Sequence, residues 1–378
     1  DAFELTMDIC LVPSLQHLSC TKLVTSLFNK VLPLIDITYF KYSEFLKSKY
    51  PKLRDFRDKE FRKIESQVTR DITNLISCVS LQKKLENFIA PLFRELEKWL
   101  NTCYQSLLVK DETCYVIMYN IPQCWLTDGT IDREKSAKLV VENNNILRIN
   151  RFMFACTYCS YEDVLNLWEL LSETEKDKLQ KYSDFVVKQW ITWLKSRSNK
   201  DWLFCVAWIL GTSLWTKNRC VLKRVLEPLT PAEKSHCLRK VLTGTEVSSD
   251  FMLFCLSLMT RYDQELIFRE SPVEVFRCIS SWPLRSSFFD IADNLWPYLT
   301  QDSFCCILNM LLRQVKNHES DYFDLLIILK KFWSQSPHNF QTIAKDDGRF
   351  SRPLQCVLDF DVSQTFPKQE FSDYYLID

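Results

Sequence analysis

Apolar residues recur every three or four positions along most of this chain, the spacing that gathers them on one face of an α-helix. From Leu53 the stripe runs through Phe56, Phe61, Ile64, Val68, Ile72, Leu75 and Val79, with charged residues filling most of the intervening positions. It predicts one long helix with a solvated face. A second stripe, Leu81, Leu85, Phe88, Leu92, Leu96, Trp99, Cys103 and Leu107, predicts another, starting near Ser80 and kinked or restarted at Pro91. The pair predicts an antiparallel helical N-terminal domain.

Further along, one short pattern returns three times: an apolar turn, then Leu, then a hydroxyl residue that opens a new helix. The copies are Leu167-Trp168-Glu169-Leu170-Leu171-Ser172, Val225-Leu226-Glu227-Pro228-Leu229-Thr230 and Leu295-Trp296-Pro297-Tyr298-Leu299-Thr300. Ser172 with Glu175, and Thr230 with Pro231 and Glu233, have the composition of capping boxes. In such a box the hydroxyl accepts from the third backbone N–H and the carboxylate reaches back. Ser271-Pro272-Val273-Glu274 repeats that chemistry, whereas Thr300 lacks the glutamate and reads as a weaker copy. Each turn ends one helix and starts the next, which predicts stacked helical hairpins. The spacing is uneven, 58 residues from Ser172 to Thr230 and 70 from Thr230 to Thr300. Ankyrin and tetratricopeptide arrays hold a period of about 33 or 34 residues, so the array expected here is irregular.

Between about Asn120 and Asn145 the texture changes to turn residues around a short helix, with Pro122, Thr127-Asp128-Gly129-Thr130 and Asn143-Asn144-Asn145. That is the expected domain junction. Cys114 to Tyr119 and Asn145 to Ile149 have the composition of short strands, but no turn chemistry pairs them. The last stretch, from Leu358, alternates acidic and aromatic residues and reads either as a cap on the final hairpin or as a tail that binds a partner. The expected organisation is all-α: an N-terminal helical domain (1–118), a junction (119–150), an irregular α-solenoid (151–350) and the acidic, aromatic tail (351–378).

Composition narrows the function classes. Only four glycines occur, Gly129, Gly211, Gly244 and Gly348, all isolated. They cannot form the clustered loops that let a backbone approach a phosphate, so P-loop and dinucleotide-binding chemistry is excluded. Lys plus Arg and Asp plus Glu balance at 48 each, so no net charge steers the molecule toward nucleic acid or acidic membrane. Sixteen cysteines are scattered through apolar stretches, where a thiol packs as a small hydrophobe. A disulfide framework belongs to small secreted chains without a core, and this chain is 378 residues long and 47% hydrophobic. A cytoplasmic address is expected; no Asn-x-Ser/Thr acceptor occurs, and the missing initiator methionine leaves a removed segment open. The longest apolar run, Trp202 to Trp215, falls short of the roughly 20 residues a membrane span needs and reads as a buried helix.

Three constellations were weighed for chemistry. Cys156-Thr157-Tyr158-Cys159 is a lone Cys-x-x-Cys with no second ligand pair, and on a helix both thiols would share a core face with Phe152 and Ala155. His236 and Cys237 are adjacent and point apart on a helix. No catalytic residue, cofactor or metal ligand is assigned. The segment 41–70 holds ten Lys or Arg against five Asp or Glu. Its candidate anion-binding face is Lys47, Lys49, Lys52, Arg54, Arg57, Arg62 and Lys63, with interleaved aromatics. The simpler reading is a solvated face laced by pairs such as Asp58–Arg62 and Asp55–Lys59. Most tryptophans are expected between helices, with Trp193, Trp202, Phe371, Tyr374 and Tyr375 as candidate anchors for a partner.

The run Thr127-Asp128-Gly129-Thr130-Ile131-Asp132-Arg133-Glu134-Lys135-Ser136-Ala137, followed by Arg151 to Cys159, Asp163-Val164 and Leu167-Trp168, is similar to a group of arthropod proteins, chiefly from spiders. Those proteins have no assigned activity and are sometimes labelled ankyrin-repeat-like. The resemblance covers about residues 115–340 and implies a helical repeat fold, with no activity or functional residues attached. The Thr-Pro-Leu-His of ankyrin repeats is absent. The expectation that follows is a non-catalytic scaffold or adaptor for other proteins. The alternatives are a module for nucleic acid or anionic surfaces using the 41–70 face, and a hydrolase or toxin-like effector with a dispersed site.

Overall fold

The structure, a computed structural model, describes residues 14–31, 51–109, 124–196, 219–243, 247, 249–292, 295–317, 322–361, 367 and 371. The fold is all-α; among the described residues the β pairing is a single antiparallel bridge, Trp125 with Ile131. The expected strand at 145–149 is instead a turn leading into a helix, and 114–119 lies outside the described residues. Two compact units divide the chain, one of residues 15–230 and one of 231–378 with the first fourteen residues. The expected junction, 119–150, falls inside the first unit.

In the first unit α1 (Leu15–Val31) packs against α2 (Pro51–Leu75), α3 (Val79–Glu86) and α4 (Ile89–Gln105). The long stripe read from the sequence is buried at Ile64, Val68 and Ile72. It then stops: α2 ends at Leu75, and Leu75 and Val79 are exposed. Gln82 fixes the corner by donating its Nε2 to the carbonyl of Ile76 at 2.6 Å. The second stripe is also broken, at Asn87 and Phe88. Pro91 then sits in the first turn of α4, where a missing N–H costs nothing, so it marks a restart and not a kink.

Residues 124–132 form a tight reversal. Leu126 N–H donates to Thr130 O at 2.8 Å and Asp132 N–H to Cys124 O at 2.7 Å. The Asp128 carboxylate accepts from the Thr130 backbone N–H and hydroxyl. Gly129 has φ 90°, which explains why one of four glycines stands here. Side chains from distant helices clip this reversal in place. The His17 Nε2 donates to Asp128 O at 3.0 Å, Trp125 Nε1 to Asn29 at 3.0 Å, and Ile131 N–H to the buried Glu95 carboxylate at 3.3 Å. Glu95 also pairs with Arg133 at 3.7 Å.

Asp132 caps α5 (Arg133–Glu142), which packs on α6 (Arg148–Thr157), itself paired with α7 (Tyr161–Leu170). On α6 the fully buried Asn150 accepts from the N–H groups of Leu108 and Val109 and donates to Val109 O. The helix ends in two bonds, Cys159 N–H to Cys156 O and Ser160 N–H to Ala155 O, the Schellman pattern. Cys159 takes the left-handed position at φ 55°, usually given to glycine. The two cysteines therefore do not share a helix face as expected, although both are buried. Ser172 then opens α8 (Glu173–Tyr182) with the predicted capping box: Glu175 N–H donates to its Oγ at 3.3 Å and its own N–H donates to Glu175 at 2.9 Å. α9 (Phe185–Ser196) and α10 (Arg219–Leu226) complete the unit; the apolar run Trp202 to Trp215 lies outside the described residues.

The second unit runs α11 (Pro231–Thr243), α12 (Ser249–Ser257), α13 (Arg261–Glu270), α14 (Pro272–Ile279), α15 (Phe288–Ala292), α16 (Gln301–Asn317), α17 (Tyr322–Gln335), α18 (His338–Asp346) and α19 (Gly348–Asp359). Pro231 and Pro272 each occupy the first helical position, as expected. Ser271 does not cap: it is pinned as the last residue of the helix before, its N–H on Ile267 O, and its φ of −141° and ψ of 53° aim the side chain elsewhere. The Thr300 copy is stronger than the sequence suggested, because Ser303 replaces the glutamate. Ser303 N–H donates to Thr300 Oγ1 at 3.2 Å and Thr300 N–H to Ser303 Oγ at 2.8 Å. A further cap, Thr260 with Asp263, went unread.

Rings fill the interior of this unit. Phe332 stacks on Trp296 at 5.0 Å and on Phe304 at 5.5 Å, and Phe304 stacks on Phe340 at 5.0 Å. Phe276 meets Phe288 and Phe332 edge-on. At the end Phe360 is nearly and Phe371 fully buried, with the Lys330 ammonium donating to the Phe360 carbonyl.

Candidate partner-binding surface

Of the candidate cationic face, Arg62 and Lys63 are exposed on α2. Lys52, Arg54 and Arg57 belong to the same helix, while their side chains, with all of Lys47 and Lys49, lie outside the described residues, as do the pairs expected of Asp55 and Asp58. Glu65, exposed like Arg62 and Lys63, shares the described half of the helix, and partial desolvation holds its carboxyl above the ordinary value. The face is therefore mixed in charge over its described length.

Of the candidate anchors, Trp202, Tyr374 and Tyr375 lie outside the described residues. Phe371 corrects an expectation: with no exposed surface it packs into the fold and presents nothing to a partner. Its burial agrees with the capping alternative for the tail. Trp193 is half-buried, edge-on to Trp190 at 5.9 Å and 5.8 Å from the Tyr161 ring. Trp190 is the fixed member of this trio, buried and donating its Nε1 to Cys156 O at 3.1 Å. Tyr161 is 43% exposed, so the trio runs from core to surface.

Nearby in sequence, Tyr182 and Phe185 stand exposed on either side of the turn between α8 and α9. Leu179 is the buried residue of α8. Tyr182, three positions on, continues the spacing of Leu179 yet stands outside the core. The remaining positions of α8 are almost all charged or polar, so the helix carries no wide apolar face. Tyr182 also lines an open groove of about 570 Å³ with Leu107, Leu108, Val109, Met153 and Lys178. Aliphatic floor, aromatic edge and a few charges at the rim are the features with which a protein surface grips another side chain.

The thiols give the opposite picture. Burial pushes Cys103 and Cys156 well above the ordinary thiol value and Cys159 up to about 12. Cys220 is raised by burial and by Glu134, whose carboxylate accepts from its Sγ at 3.5 Å. These groups stay protonated and pack as hydrophobes. Cys220 and Tyr158 line a cavity of about 100 Å³ in which Glu134, Lys223, Arg224 and Glu227 pair among themselves. His236 is exposed and Cys237 half-buried, and burial raises the Cys237 thiol. Among the described residues no three His, Cys, Asp or Glu side chains converge as a metal ion requires, and no helix is long and apolar enough to cross a membrane.

Comparison with known proteins returned no matching family model, curated protein or solved structure.

Proposed function

We propose that the chain is a non-catalytic helical scaffold, its C-terminal half an irregular α-solenoid, that binds other intracellular proteins. The observation that carries this reading is the order of packing in residues 231–378. There α11 packs on α13, α12 on α14, α14 on α16, α16 on α18 and α17 on α19, most contacts joining a helix to the next or next but one along the row, while α16 also meets α19 and the Phe276 ring of α14 meets Phe332 of α17. A row built this way grows by adding hairpins and generates extended surface, which such folds use for binding. Exposed Tyr182 and Phe185, in the first unit, supply the apolar contact a partner needs.

The test is capture from native lysate by the full chain at low and high salt, with and without nuclease, beside the Tyr182→Ser/Phe185→Ser variant. Protein partners that survive salt and nuclease and are lost from the double variant support the scaffold. Binding that disappears with salt or nuclease, and with Arg62→Glu/Lys63→Glu, replaces it with an anionic ligand. Hydrolytic activity in the purified chain would replace both.

A further inference from the structure

We infer that His17 is an acid-operated latch on the 124–132 reversal: uncharged it holds the reversal against α1, and charged it lets go. His17 lies in the first turn of α1, 5% exposed, its ring 5.0 Å from that of Phe88. Its Nε2 must carry the hydrogen, because the partner is the carbonyl of Asp128. A second proton would place a full charge in that enclosure, at the end of the helix whose unpaired N–H groups already repel cations. Two groups of the reversal favour the charge, the Asp128 carbonyl and the Asp128 carboxylate; desolvation outweighs them, and the imidazole is held below its ordinary value of 6.5.

The sign follows. Well above pH 6.5 the imidazole is neutral whether folded or free, and the latch is closed. As pH falls from there through the lowered value, the free imidazole takes a proton that the buried one resists, so the released state gains. The bonds Trp125 to Asn29 and Ile131 to Glu95 involve no histidine, so the reversal loses one clip of three and loosens locally. This inference is independent of the scaffold reading.

The test uses the full chain with ¹³C-labelled histidine. The His17 resonance should titrate with a midpoint below 6.5, and the amide of Gly129 should shift with the same midpoint. Hydrogen exchange of residues 124–132, corrected for the intrinsic rate, should lose protection several-fold between pH 7.5 and 5, with a flat profile in His17→Gln, whose amide keeps a donor and cannot titrate. A normal midpoint, a silent Gly129, or the same loss in His17→Gln overturns the latch. Should His17→Gln fail to fold, the wild-type coupling of the two midpoints decides.

Discussion

The two units solve the problem of holding helices together in different ways. In residues 15–230 the conspicuous ties are polar and long-range: His17 to Asp128, Asn29 to Trp125, Glu95 to Ile131, Asn150 to Leu108 and Val109. In residues 231–378 they are rings packed between helices, Phe276 edge-on to Phe332, and Phe332 stacked on Phe304, which stacks on Phe340. A buried hydrogen bond adds little net energy when made but costs about 1–3 kcal/mol when half of it is removed, so polar clips specify one arrangement. Ring stacks are energetic and forgiving, since apolar area stabilises at any good packing angle. The first unit is tied by polar contacts that specify one arrangement, the second by apolar ring packing.

The widest break in that comparison comes from Phe332→Ala, which empties the centre of the stack. It should cost about 3–5 kcal/mol, the usual range for deleting a buried ring. Hydrogen exchange should then accelerate across α14 to α19 while residues 15–230 keep their protection; equal loss in both units would erase the distinction. Asn150→Ala comes next, at about 1–3 kcal/mol, because it strands the N–H groups of Leu108 and Val109. The denaturant midpoint of the first unit should fall, and an unchanged midpoint would show that the clips are decoration.

The helix caps offer a control that ought to treat the units alike. Ser172→Ala and Thr300→Ala each remove one member of a reciprocal pair and should each cost about 1 kcal/mol, read as a drop in melting temperature. A much smaller loss at Thr300 would mean that Ser303 does not replace a glutamate. Acid gives the subtlest contrast. Burial opposes the charge on Asp263, but bonds from Ser235 and Thr260 prevail and hold its carboxyl below the ordinary 3.8, so its contribution is lost only as pH falls beneath that value. His17 acts from 6.5 downward. Exchange measured at pH 5 should therefore find the 124–132 reversal of the first unit loosened and the second unit intact, and the reverse order would contradict both assignments.

Helix starts are legible where a hydroxyl or proline signal meets the period, as at Ser172 and Pro231. Periodicity alone overran at Val79, because one stripe can continue in phase across a corner defined by bonds such as Gln82 to Ile76 and Leu81 to Cys78. It also misplaced Cys159, since a left-handed residue one step past a helix end keeps the spacing of a core position. Ser303 was missed because a hydroxyl rarely plays the glutamate's part. Phe371 was read as an anchor because an aromatic in an acidic tail looks the same buried or free. The clips on the reversal left no trace, since nothing in a sequence marks that a histidine and a carbonyl 111 residues apart will meet. The candidate surface was correspondingly obscure: of its rings, the sequence singled out only Trp193.

That separation of 111 residues is also an interval of time. A ribosome adding about 5–20 residues each second needs roughly 6–22 s to travel from His17 to Asp128. Throughout that interval the first turn of α1 is finished but unfastened, its imidazole open to whatever else is in reach. The ring contacts of the second unit close over shorter intervals, 56 residues from Phe276 to Phe332 and 36 from Phe304 to Phe340. In a nascent chain the 124–132 reversal therefore stays unfastened for about twice the interval that separates Phe276 from Phe332.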